Sequence, residues 1–184
     1  MRKALIGILL SLSAVTEVFA GRDTALPPWK HVLALSPSAI ELLQESVARS
    51  SIVESLLYQL EATEIVVYIT DVMPGAVMGP ASYLAYLSND ERARYLLVRI
   101  DKWRTTPYER IALLGHELQH ALEVAGAPEV RDGKGLAKLY RRIGWEGQKD
   151  RFETEAAQTM GNRIRSQVAK GRDRRRSALV ATNP

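Results

Sequence analysis

The chain contains no cysteine. No disulfide can therefore form, even in an oxidising compartment, and no thiolate can hold zinc, so any metal must be bound by His, Asp or Glu. Histidine is also scarce, with three in 184 residues: His31, His116 and His120. No apolar run approaches the roughly 18 residues that a membrane-spanning helix needs. Neither sign of charge dominates, since Lys and Arg (25) exceed Asp and Glu (21) by only four. Much of that excess is gathered at Lys170, Arg172, Arg174, Arg175 and Arg176. No nucleic-acid motif accompanies the cluster, so residues 169–184 read as a solvated, disordered basic tail and no nucleic-acid partner is expected.

What is present fits one domain: 184 residues that are 46% hydrophobic and 25% charged can bury a real core. The first twenty residues stand apart. Arg2 and Lys3 precede an apolar stretch from Ala4 to Val15, and Val18-Phe19-Ala20 supplies a cleavage site of the A-x-A kind. This order of charge, apolar stretch and small residues is that of a signal peptide. Residues 1–20 are expected to be removed on export to the periplasm or the extracellular space, leaving 21–168 as the domain, without a membrane span. N-terminal sequencing of the protein recovered from producing cells should begin at Gly21, and a cytoplasmic chain that starts at Met1 would overturn this.

Within the domain, Leu26-Pro27-Pro28-Trp29 reads as an extended lead-in. Ser38-x-x-Glu41 has the capping-box form and opens a helix, with a second helix over Ile52 to Leu60, either separate or continuous with it. The β-branched run inside Glu64 to Asp71 predicts a buried strand, ended by Met73-Pro74-Gly75. Further strands are expected over Ala81–Leu87 and Tyr95–Ile100. The best-defined helix begins at Thr106-Pro107-Tyr108-Glu109, which combines an N-cap, Pro at the first helical position and a capping-box Glu, and it ends at Gly126-Ala127-Pro128. Two more helices follow, over Gly135–Ile143 and Arg151–Val168. The fold class expected is α+β, mostly helical, with a small sheet beside the Thr106 helix.

That helix carries His116-Glu117-Leu118-Gln119-His120. Histidines four apart project from one face, one turn above the other, and can reach a single tetrahedral cation. Glu117 lies one position on, beside the ion, where its carboxylate can take a proton from water at the metal. Two of the chain's three histidines fall in this segment, and the Leu and Ala side chains around it offer them no hydrogen bonds.

These five residues resemble the HExxH signature of the zincin metallopeptidases. The resemblance implies zinc as cofactor, His116 and His120 as ligands, Glu117 as general base and a peptide or protein substrate. Glu123 and Gly126 stand where metzincins have Gly and His, so the metzincin branch does not fit. The gluzincin branch, whose third ligand is a Glu on a later helix, fits better. Phe152-Glu153-Thr154-Glu155-Ala156-Ala157 is similar to its second motif, with Glu153 as the ligand and Ala157 in place of an Asp that orients a ligand His. In zincins an extended substrate adds to a strand beside the metal helix, and the resemblance puts Tyr95–Ile100 there. Tyr140 and Trp145 are the aromatic candidates for steadying an oxyanion, and Glu123 is the candidate for orienting a ligand.

Placed on a helix from Arg151, Glu153 aligns with Ala156, Ala157, Met160 and Ile164 on an apolar face. Glu155 aligns with the polar Thr159, Asn162 and Ser166. Glu153, rather than Glu155, is then the third ligand. The competing reading makes Asp150 an N-cap and Glu153 its capping-box partner. At the level of function the alternative to a peptidase is a zinc-binding domain without catalysis, serving stability or partner binding.

Overall fold

Ile65, Val67 and Ile69 alternate with half-buried neighbours, as do Leu96, Val98 and Ile100, and these six side chains line one buried face of a sheet. The computed structural model describes residues 29–71, 80–146 and 152–181. In chain order the elements are β1 (Val32–Ala34), α1 (Pro37–Arg49), α2 (Ser51–Glu61), β2 (Ile65–Asp71), β3 (Ser82–Asn89), β4 (Arg94–Ile100), α3 (Pro107–Ala125), α4 (Gly133–Ile143), β5 (Trp145–Glu146), β6 (Phe152–Glu153) and α5 (Glu155–Ala181). The four-stranded sheet has the order β1-β2-β4-β3, with β1, β2 and β4 parallel and β3 antiparallel at the edge. β5 and β6 form a separate antiparallel pair. The molecule is α+β, mostly helical, with its small sheet beside α3. The signal-like segment 1–20, the prolines at 27 and 28, the Met73-Pro74-Gly75 break and Asp150 lie outside the described residues.

Local signals decide the helix starts, with one correction. α1 is capped by Ser36, whose hydroxyl accepts from the Ala39 N–H, with Pro37 at the first position. Ser38 is not the cap: its hydroxyl donates to Asp71 at the end of β2, a tertiary partner that local spacing does not reveal. Ser50 separates the first two helices by ending α1 and capping α2. α3 begins as expected, with a reciprocal capping box between Thr106 and Glu109.

α3 is packed between the sheet on one side and α5 on the other, with Ile111, Leu114 and Leu118 fully buried. Its C-terminal end is tied down by Arg94, which is completely buried at the start of β4. The guanidinium donates to the carbonyls of Val124 (2.9 Å), Ala127 (2.7 Å), Val130 (3.3 Å) and Ala125 (3.3 Å), and to Glu64 Oε1 at 2.5 Å. One cation thus gathers carbonyls from the end of α3 and the turn after it, of which Val124 and Ala127 also accept backbone N–H groups at 3.0 Å. Arg94→Met, of similar length but without donors, removes this set of buried bonds and should destabilise the fold by about 3 kcal/mol. Urea unfolding measures this, and an unchanged midpoint would show that the Arg94 bonds add nothing to stability.

Residues 169–181, expected as part of a disordered tail, continue α5 instead. Arg, Lys, Gln and Ala favour helix, and Ile164 and Val168 anchor the preceding turns in the core, so the helix propagates past Gly171 without a stop signal. No helix among the described residues is long and apolar enough to cross a membrane.

Candidate metal centre

His116 and His120 sit one turn apart on α3, their rings edge to face with centroids 4.7 Å apart. Glu153, from β6, faces them: its Oε2 lies 3.4 Å from His116 Nε2. One ligand atom from each of the three residues falls within 4.8 Å of the others. Glu153 Oε2 is buried yet accepts no hydrogen bond. A buried carboxylate oxygen without a donor is costly, and a cation is the partner that removes the cost. The donor set of two imidazoles and one carboxylate suits zinc, which holds its ligands about 2.0–2.2 Å away and therefore roughly 3.3 Å from one another. The residues fit the ion.

The orientation of the His120 ring supports the same use. His120 Nδ1 is 2.8 Å from Glu123 Oε2, which leaves Nε2 as the nitrogen available to an ion. A carboxylate is a usual partner for the outer nitrogen of a metal-ligating His, and Glu123 offers one to His120. His116 Nδ1 lies on the side of α5, near Gly161.

Compared with family models, curated proteins and solved structures, the chain matches none. The reading of this centre rests on its own residues.

Glu117 is buried on the same helix, and the Ser82 hydroxyl at the start of β3 donates to its Oε1 at 2.6 Å. Burial pushes the Glu117 carboxyl up to about 7, against the opposing pull of His120 and the Ser82 bond. Burial, helped by the neighbouring His120, holds His116 down to about 4, so this ring is a neutral donor over the whole physiological range. For His120 burial also works against the charged ring, but the Glu123 hydrogen bond and the charges of Glu117, Glu123 and Glu153 outweigh it and leave the pKa raised.

Glu153 reaches the site by a different route from the one its spacing implied. It is not on a helix: it ends β6, and α5 begins two residues later, capped by the Thr154 hydroxyl that accepts from the Ala157 N–H at 3.1 Å. The helical facing argument therefore does not apply, and neither does the capping box from Asp150. Ala156, assigned to the buried face, is exposed. Pairing with β5, in register with Trp145, is what aims the Glu153 side chain. Gly144 makes this approach possible. A Cβ at that position would collide with the Glu153 carbonyl oxygen and come within 3.0 Å of its carbon. Glu155 is exposed on the first turn of α5, away from the cluster.

A cleft of about 550 Å³ opens over these groups, lined on one side by Pro80 to Leu84 and on the other by Leu136, Ala137 and Tyr140, with His116, Glu117, His120 and Glu153 at its floor. The strand beside it is β3. β4, which contains Tyr95–Ile100, is hydrogen-bonded to β2 on one side and β3 on the other, so it has no free edge for a substrate. The chain runs from β2 to the far side of β4 before returning, and strand order of this kind has no local sequence signal.

Tyr140 packs its ring edge-on against His120 at 5.0 Å and donates its hydroxyl to the His120 carbonyl at 3.3 Å, so its oxygen is occupied in holding α3. Trp145 is 44% exposed and lies outside the cleft lining. His31 hydrogen-bonds the Leu60 carbonyl and belongs to the β1 end of the sheet. Ser82 and Thr154 carry interactions at the centre that the sequence reading did not assign. Thr154 had a usable signal, since Thr is a good N-cap. Ser82, 35 residues from Glu117, had none.

Proposed function

We propose that this protein is a zinc-dependent peptidase, with His116, His120 and Glu153 as the ligands and Glu117 as the general base. The observation that carries the reading is the buried, donorless Oε2 of Glu153 converging with two imidazoles in an open cleft. Held by His116, His120 and Glu153, a zinc ion would supply Lewis acidity, lowering the pKa of water and polarising a peptide carbonyl. Ser82 holds Oε1 of Glu117 and leaves its other oxygen to take the proton of the attacking water. The same carboxyl then returns that proton to the leaving amine. The edge of β3, unpaired among the described residues, runs along the cleft and offers main-chain groups to an extended peptide. A closed four-ligand site would favour a purely structural metal, and the cleft favours the catalytic alternative.

The purified mature protein should carry about one zinc per chain by elemental analysis. It should cleave an unfolded protein mixture, stop on chelation and resume when zinc is returned. Protein that stays metal-free after refolding with zinc would overturn the proposal.

A further inference from the structure

The Thr154 hydroxyl does two things at once. It accepts from the Ala157 N–H at 3.1 Å, capping α5, and it donates to Glu123 Oε1 at 2.6 Å. The other oxygen of Glu123 holds His120 Nδ1 at 2.8 Å. Thr154 is 2% exposed and the Glu123 side chain 10%, so water competes poorly for either bond. Thr154 also directly follows Glu153 in the chain. A single hydroxyl therefore links the segment that delivers the third ligand to the carboxylate that turns the second.

We infer that Thr154 is a positioning residue of the metal centre, setting His120 through Glu123 while fixing where Glu153 enters the site. The inference rests on the zinc-binding reading above. It assigns a coupling that capping alone does not require, because an N-cap needs only to accept, whereas this hydroxyl also donates. The donated bond restrains the one freedom Glu123 has left, rotation of its carboxylate about the His120 contact. Without it, Glu123 can swing and the imidazole it holds loses its aim at Glu153.

Competitive zinc titration and the absorption spectrum of the cobalt-substituted protein test this, with the full mature chain throughout. Thr154→Val removes the donor and should weaken zinc about tenfold, the scale on which partners of metal ligands act, with a changed cobalt spectrum. Thr154→Ser keeps donor and acceptor and should restore both. Thr154→Gly has no hydroxyl to donate, and Gly is well tolerated at an N-cap; it should fold with α5 intact and still bind zinc at least tenfold more weakly. It remains informative if the Val variant fails to fold. Adding Thr154→Val to Glu123→Gln should weaken zinc by less than the product of the two single effects, because both act through one chain of bonds. Zinc affinity within twofold of wild type in the Gly variant, or strictly multiplicative effects in the double variant, would overturn the inference and leave Thr154 a helix cap only. A wild-type chain that binds no zinc would instead overturn the reading beneath it.

Discussion

Glu117→Gln is expected to keep its zinc and lose about 10²–10⁴-fold in hydrolysis, the usual contribution of a general base. The substitution preserves side-chain length and can still accept the Ser82 hydroxyl, so the packing under β3 is retained. What it removes is the oxygen able to take and return a proton. Glu117 does not belong to the ligand cluster, which is formed by His116, His120 and Glu153, so metal content should remain at the wild-type level. Steady-state kinetics on the zinc-loaded variant, beside elemental analysis, decides the matter. Unchanged turnover would exclude the mechanism, and loss of zinc with loss of activity would make Glu117 part of the metal's support instead.

Glu153→Ala should weaken zinc binding by orders of magnitude, because the site drops from three protein ligands to two. Glu155→Ala, on an exposed position of the first turn of α5, should leave the affinity alone. The two residues are close enough in sequence that a general disturbance of β6 or of the helix start would touch both, which makes the pair its own control. Removing Glu153 also removes a buried oxygen that has no hydrogen-bond donor, so the metal-free form should lose little stability and can gain some. Competitive titration gives the affinities, and thermal unfolding with and without chelator separates the two effects. If the Glu155 variant loses zinc while the Glu153 variant holds it, the assignment is wrong.

The sequence by itself determined the elements whose signals are local. α3 could be placed because its cap, its proline and its apolar spacing all lie within twenty consecutive residues and agree with one another. The same spacing put His116 and His120 on one face, since helical geometry leaves no other arrangement for residues four apart. β2 and β4 were legible from β-branched and aliphatic runs, whereas the three-residue β1 and the two-residue β5 and β6 are too short to show any period. Glu153 was singled out by resemblance, on a helix it does not belong to. What brings it to the histidines is the β5–β6 pairing and the close approach at Gly144. Only the tertiary structure decided that β3 rather than β4 borders the cleft, that Ser82 holds Glu117 and that Thr154 holds Glu123. The last two are hydrogen bonds spanning 35 and 31 residues. Contacts at that range depend on how strands order and helices dock, and no spacing along the chain encodes them.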